Sequence, residues 1–289
     1  MKIVNDGVPE VIFRAMQAVQ YQKKDAFSSA TRLLASPRQF WLEKRHDDEL
    51  EEPASDRLWS LLGTAMHLVV EKGGSEETSE QELEVTVAGQ RITGTCDYYK
   101  DGVISDFKLT SVWSYIYRAD KIPDWEKQLN IYAFMLRRAG KDVKWLQIIC
   151  LFRDWQKSKY EFESDYPKQI AVVPIRLWSL EEAEEWVTKK VLQLLRYSNT
   201  ADNELPYCTN EDTWQKPDKY AVMKKGNKRA VKLYEDEASA LAHVEQDANF
   251  YLEIRKGEPT RCIGYCPMKD ICNQHQEYLK EQMGHYEKR

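Results

Sequence analysis

RITGTCDYYKDGVISDFKLT, residues Arg91–Thr110, is the stretch whose reading decides the fold. It reads as two short strands around Asp101-Gly102, a dipeptide favoured in two-residue hairpin loops. If those two residues are the whole loop, Lys100 pairs with Val103, and counting outward sets Asp97 opposite Asp106 and Thr95 opposite Lys108. Residues two apart on a strand share a face, so Asp97, Asp106 and Lys108 converge on one surface. Two carboxylates about 5 Å apart across a hairpin repel each other, and a cation between them would account for the pair. A divalent metal on oxygen ligands with a lysine beside it is equipment for phosphodiester hydrolysis. The competing reading is a solvent-exposed hairpin face with ordinary charges.

Working outward, the 289 residues are enough for one large domain with an appended module. A hydrophobic content of 42% with nine tryptophans marks a folded chain rather than a disordered one. The formal net charge of -5 means that any contact with phosphates must come from local basic patches. No apolar run approaches the roughly 20 residues of a membrane span, and the N-terminus lacks a secretory apolar core. Six cysteines without an export signal point to a reducing cytoplasm, and to metal rather than disulfides where they cluster.

On the N-terminal side, Ser28 or Ser29 is expected to cap a short helix through Leu34, and Pro37 to open a second helix. His46–Glu52 reads as an exposed acidic linker. Ser55 is expected to cap a long helix ending before Gly73-Gly74, with Leu58, Leu62, Ala65, Met66 and Val69 as its buried stripe. His67 and Glu71 share one face of that helix. Glu82–Val87 is the strand before the hairpin. Beyond it lie an aromatic and basic segment (Trp113, Tyr115, Tyr117, Arg118, Lys121) and a helix opened by Pro123 with a stripe of Trp125, Leu129, Tyr132 and Leu136. Strands over Trp145–Phe152 and Ile170–Leu177 follow, then a helix with Ser179 and Glu182 as a capping box. Taken alone, His67 reads as a core histidine, and Gln128 and Tyr132 as ordinary surface and core residues. Farther on, Tyr220–Tyr234 reads as a hairpin turning at Gly226-Asn227. Lys224, Lys225, Lys228, Arg229 and Lys232 crowd its tip, either as a solvated tip or as a DNA-backbone contact.

Four motifs in this order carry a resemblance: Gly63 with His67, Gly94 through Asp97, Asp106-Phe107-Lys108, and Gln128 with Tyr132. Together they resemble the RecB-type branch of the PD-(D/E)XK nuclease superfamily, and the later segments, Cys208 before Trp214 and the C-terminal stretch from Arg261 through Cys272 to Gln274, resemble the version found in bacteriophages. The resemblance of the four motifs spans Ser55–Cys150. It implies that His67, Asp97, Asp106 and the backbone carbonyl of Phe107 bind Mg²⁺ or Mn²⁺. It implies further that Lys108 orients or deprotonates the attacking water, and that Gln128 and Tyr132 place Lys108 and the substrate. Glu71 would contact a metal-bound water or a second metal. Tyr115 and Tyr117, with Trp113, would stack DNA bases.

Cys96 and Cys150 read as small buried residues within strands. Cys262, Cys266 and Cys272 lie close in sequence, and Cys208 is available as a fourth thiolate. Relatives in this branch carry a 4Fe–4S cluster on one upstream and three C-terminal cysteines, and that cluster is the favoured expectation. Zinc, with or without His275, is the alternative, and uncommitted thiols are the bland reading. The sequence departs from the relatives' pattern at Ser36-Pro37, where they have a cysteine, and in the three-residue gap from Cys262 to Cys266.

The expected fold is α/β: a PD-(D/E)XK (restriction-endonuclease-like) core, with a central mixed sheet flanked by helices, and a C-terminal cysteine-bound metal module. The expected divisions are an N-terminal helical segment at 1–54, the nuclease core at 55–198, and a module with the basic hairpin and cysteine cluster at 199–289. The expected activity is a metal-dependent DNA exonuclease working from DNA ends in recombination or DNA processing. Its expected partners are DNA and a single-strand annealing protein, and its place the cytoplasm, the host's if phage-encoded. The rival readings are a CRISPR-adaptation-like end-trimming nuclease and a non-catalytic, metal-stabilised DNA-binding module.

Overall fold

The computed structural model describes residues 1–19, 25–74 and 79–286. The chain divides into two compact units, Met1–Thr200 and Ala201–Arg289. The first begins with β1 (Lys2–Val4), α1 (Glu10–Ala18), β2 (Ser28–Ser29), α2 (Pro37–His46), β3 (Glu51–Pro53) and α3 (Leu58–Glu71). Then come β4 (Ser79–Val87), β5 (Gln90–Lys100), β6 (Val103–Thr110), α4 (Val112–Ile116) and α5 (Ile122–Arg138). It closes with β7 (Trp145–Phe152), α6 (Lys157–Phe162), β8 (Ile170–Ile175) and α7 (Leu180–Arg196).

The central sheet runs β2-β5-β6-β7-β8, with β4 also paired to β5. β5–β6 and β7–β8 are antiparallel and β6–β7 is parallel, so the sheet is mixed. A parallel pair needs a long crossover, and the segment carrying α4 and α5 supplies it. At the hairpin, Lys100 pairs with Val103, and Asp101 and Gly102 both have positive φ, 51° and 86°. That is the type I′ geometry whose twist suits a two-residue hairpin.

Helix α5 is the core helix because its sequence supplies both ends and a wide apolar surface. Pro123 occupies its first turn, where no amide hydrogen is needed, and Arg137 and Arg138 sit in the last turn against the dipole. Gly140 (φ 79°) then closes it: Gly140 N–H donates to Arg137 O and Lys141 N–H to Leu136 O, a Schellman motif. Leu129, Ile131, Phe134, Met135 and Leu136 are fully buried, each contributing about 1.5–3 kcal/mol. The buried Asn130 is satisfied on every side. It donates to Glu126 O and Arg176 O at 2.8 and 2.9 Å and accepts from Trp178 N–H at 2.8 Å, which ties α5 to the chain after β8.

The N-terminal helix α2 is capped by Ser36 in a capping box with Gln39, and docks on the end of α7. Trp41 Nε1 donates to Leu194 O at 2.8 Å. The Arg45 guanidinium reaches the carbonyls of Tyr197, Ser198 and Thr200, where the negative end of α7 favours a cation.

Several local expectations are corrected. Ser28–Ser29 forms a two-residue strand on β5, followed by a short 3-10 turn at Arg32–Leu34, instead of a capped helix. The acidic linker contains β3, paired in parallel with β1, and Leu50 is buried. Ser55 does not cap α3: its backbone and hydroxyl both bond Asp6, and α3 begins at Leu58 after a 3-10 turn. The expected core stripe of α3 is not core either, since Leu58, Leu62 and Val69 are exposed. Ser179 accepts from Glu182 N–H, but the Glu182 carboxylate turns to Arg176, so only half of that capping box forms.

The second unit contains α8 (Asn210–Thr213), β9 (Lys219–Lys224), β10 (Lys232–Tyr234), α9 (Glu237–Val244), β11 (Phe250–Arg255), α10 (Thr260–Gly264) and α11 (Asn273–Tyr286). Its sheet is antiparallel in the order β10-β9-β11. The β9–β10 hairpin spans residues 225–231 as a loop, longer than a turn at Gly226-Asn227 alone. Among the described residues, no helix is long and apolar enough to cross a membrane.

Candidate active site

Three elements meet around Asp106: β6, which carries it, α5, and α3. Pairing of β6 with β7 sets Ile104, Asp106 and Lys108 beside the buried Leu146, Ile148 and Cys150, on a single face. Asp106 is 2% exposed. Its Oδ1 accepts from Gln128 Nε2 at 3.1 Å, and the same amide donates to the Tyr132 hydroxyl at 3.3 Å. Gln128 and Tyr132, one helical turn apart on α5, therefore act on the carboxylate as a pair. Tyr132 can lie this close because residue 94 has no side chain: a Cβ there would stand 3.0 Å from the Tyr132 ring and 3.2 Å from Ala30 Cβ.

The other oxygen of Asp106 is different. Oδ2 is buried and no donor points at it in hydrogen-bond geometry, while Lys108 Nζ stands 2.8 Å away as an ion-pair partner. Burial pulls the Lys108 ammonium down, but the Asp106 and Asp97 carboxylates outweigh it and hold its pKa above the ordinary value. Lys108 here is thus a paired ammonium and not the depressed base that desolvation alone would make. Burial pushes the Tyr132 phenol well up, so it stays neutral.

The β5–β6 pairs keep the counted register, but the ladder ends one pair short of Asp97 and Asp106. The antiparallel pairing runs from Lys100–Val103 to Tyr98–Ser105 and stops. The Asp97 side chain instead accepts from Phe107 N–H through Oδ2 at 2.9 Å, standing in for a strand bond. The same oxygen lies 3.4 Å from His67 Nδ1 on α3. Burial, the largest influence, holds His67 below its usual pKa, leaving a neutral imidazole with a lone pair to offer. Glu71 ends α3 exposed, with no side-chain bond to this group among the described residues.

The donor types here, two carboxylates and a neutral imidazole, suit Mg²⁺ or Mn²⁺, and the buried Oδ2, without a hydrogen bond and facing Lys108, is the oxygen such a cation would share. The cage is not closed, however. Among the described residues no three His, Cys, Asp or Glu side chains are gathered as a metal-holding group. The expected metal module on Cys208, Cys262, Cys266 and Cys272 has no support in that arrangement either. Burial, and then the neighbouring Cys266 and Cys272, push the Cys262 thiol up to about 11. The Cys208 backbone is held at both ends by the side chain of Gln274, at 2.8 and 3.0 Å.

The expected DNA contacts fall in two places. Tyr115 is spent on packing: Phe152 lies 5.0 Å from its ring and the Arg118 guanidinium covers it at 4.4 Å. Tyr117 is exposed and lies against Trp113 with ring centres 4.1 Å apart. Lys225, Lys228 and Arg229 are exposed on the β9–β10 loop of the second unit. Lys224 sits near Asp247 and over the Phe250 ring, and Lys232 over Tyr234. The sequence reading missed Trp59 and Arg153, whose guanidinium stacks 4.0 Å over the Trp59 ring. The two lie far apart in the chain, and no local pattern links them.

No protein-family model matches the sequence, and no curated protein matches it. Among solved structures, the chain is similar to the protein SSO0001 (17% identity, 66% of this chain and 86% of that one, TM-score 0.45). It is similar also to the alkaline exonuclease LHK-Exo from Laribacter hongkongensis (16%, 59% and 88%, TM-score 0.38). A third is a phage-related exonuclease from Haemophilus somnus (13%, 65% and 78%, TM-score 0.30). At these identities, a functional reading has to rest on the side chains themselves.

Proposed function

We propose that this protein is a divalent-cation-dependent DNA exonuclease, hydrolysing phosphodiester bonds from DNA ends in recombination or DNA processing of the phage type. One observation carries the reading. A buried carboxylate, Asp106, has one oxygen fixed by Gln128 and the other left without a hydrogen bond beside Lys108, with the Asp97–His67 pair adjacent. Burying a charged carboxylate has a desolvation cost that the ion pair with Lys108 offsets, and the oxygen left without a hydrogen bond is the one open to a cation.

Mg²⁺ or Mn²⁺, held by Asp97, Asp106, His67 and the Phe107 carbonyl, would activate water and neutralise phosphate oxygens. Lys108 brings a fixed positive charge to the phosphate and stabilises the charge that grows on it. Gln128 keeps Asp106 from rotating, and the neutral Tyr132 keeps Gln128 in place. His67 offers an unprotonated nitrogen because burial disfavours its charged form. In the second unit, the exposed Lys225, Lys228 and Arg229 would contact the DNA backbone. A single-strand annealing protein would be a suitable recipient of the single strand left behind.

The test is degradation of one DNA sequence as a linear molecule and as a covalently closed circle, in Mg²⁺ and then Mn²⁺. Loss of the linear form alone supports an exonuclease. Equal loss of both makes the enzyme an endonuclease, and loss of neither leaves a DNA-binding module.

A further inference from the structure

Trp59, Gly63 and His67 follow one another at four-residue intervals on α3 and so form one stripe down the helix. His67 ends the stripe at the candidate active site. Gly63 makes a notch in it, for a Cβ built there meets no atom within 4 Å, although glycine weakens a helix. Trp59 ends it on the other side, 59% exposed under the stacked Arg153 guanidinium.

Arg153 belongs to a second set of residues. Its N–H donates to Thr110 O, and Asp154 Oδ1 next to it accepts from Val112 N–H, which fixes Arg153 beside the start of α4. Thr110 is two residues beyond Lys108 on β6, about 7 Å along the strand. Lys121 folds back to donate to Ser114 Oγ, and Arg118 donates to Tyr115 O. Arg118 Nε is buried with no acceptor. Among the described residues, none of Arg118, Lys121 and Arg153 has a carboxylate within ion-pair distance, in a chain whose net charge is -5. Beside these cations stand Trp113 and Tyr117, 68% and 57% exposed and packed on each other. Large aromatics left in water beside unpaired cations are what a nucleic-acid strand requires: phosphates for the cations and base faces for the rings.

We propose that the Trp59–Gly63–His67 stripe and the segment 113–121 with Arg153 form a holding site for single-stranded DNA that leads into the candidate active site. Arg118, Lys121 and Arg153 take backbone phosphates. Trp59 and the Trp113–Tyr117 pair stack bases, and the notch at Gly63 lets the backbone pass close to the helix. The choice of ligand rests on the nuclease reading above. Flat stacking requires bases freed from a duplex, so the strand held is single, and stacking with phosphate contacts holds it with little sequence preference.

The probe is a fluorescent oligodeoxythymidine, titrated in EDTA so that metal-dependent cleavage is absent, with binding read by anisotropy across a salt series. Trp113→Ala and Arg153→Glu should each weaken binding by about 10-fold or more, and Trp113→Phe should restore most of it. Arg153→Glu should also flatten the dependence of log K on log salt by about 0.7, since one phosphate is no longer neutralised. Both side chains are exposed, so the thermal melting of the variants should match that of the parent and report an intact fold. Unchanged affinity in both variants overturns the holding site. So does equal affinity for a blunt duplex with the same dependence on Trp113. If the variants lose binding but the parent cleaves no DNA in Mg²⁺, the nuclease reading falls and the holding site stands. If the parent cleaves and the variants bind normally, the reverse holds.

Discussion

Gln128 Nε2 donates to Asp106 Oδ1 across 3.1 Å, and this bond fastens helix α5 to a carboxylate on the central sheet. It leaves Oδ2 as the one acceptor of Asp106 without a hydrogen bond, aimed where Lys108 and a cation would compete for it. A residue acting through another in this way is a positioning residue. Gln128→Ala should lower kcat by about 10–100-fold with little change in KM, and should raise the divalent-cation concentration needed for half-maximal rate. A rate loss without a shift in cation requirement would mean that Gln128 does not act through Asp106.

Asp106→Asn should remove activity and also reduce stability, by about 1–3 kcal/mol in urea denaturation without metal. Relief of repulsion between facing carboxylates would have given the opposite sign. The structure reverses that expectation because Asp106 is paired with Lys108, and Asp97 is occupied by Phe107 N–H and His67.

Gly94→Ala and Gly63→Ala should differ in sign. At residue 94 the new methyl would meet Tyr132 and Ala30 at 3.0 and 3.2 Å, so that variant should lose about 1–3 kcal/mol of stability together with activity. At residue 63 the methyl meets nothing, so that variant should gain about 0.5–1 kcal/mol while binding DNA less well. Paired denaturation and binding curves for the two variants check this.

Much of the candidate site could be read from the hairpin, and the reason is local. Asp101-Gly102 allows one tight turn, and a turn of fixed length fixes the pairing next to it, here from Lys100–Val103 to Tyr98–Ser105. The ladder ends one residue further, where the Asp97 side chain accepts from Phe107 N–H, a bond no strand pattern encodes. The α3 stripe is where the reading failed. A helical period shows that apolar residues share a face but not what lies against it, and here Leu58, Leu62 and Val69 meet solvent. The Trp59–Arg153 stack depends on tertiary placement alone.

The thiol of Cys262, held up to about 11 by burial and the neighbouring thiols, should alkylate with iodoacetamide slowly at neutral pH, with a midpoint at about 11 instead of the ordinary 9.0. The rate should be the same before and after a chelator. Protection that a chelator relieves would restore the cysteine-bound metal that the arrangement of these residues does not support.

The central claim is that Asp106 and Lys108 form a hydrolytic site, and nucleotide release from end-labelled linear DNA tests it most directly. The measurement compares the parent chain, Asp106→Asn and Lys108→Ala at saturating Mg²⁺ and again in EDTA. The account predicts nucleotide release by the parent in Mg²⁺, none in EDTA, and a loss of at least about 100-fold in each variant, whose DNA binding persists. Release by either variant at the parent's rate would contradict it.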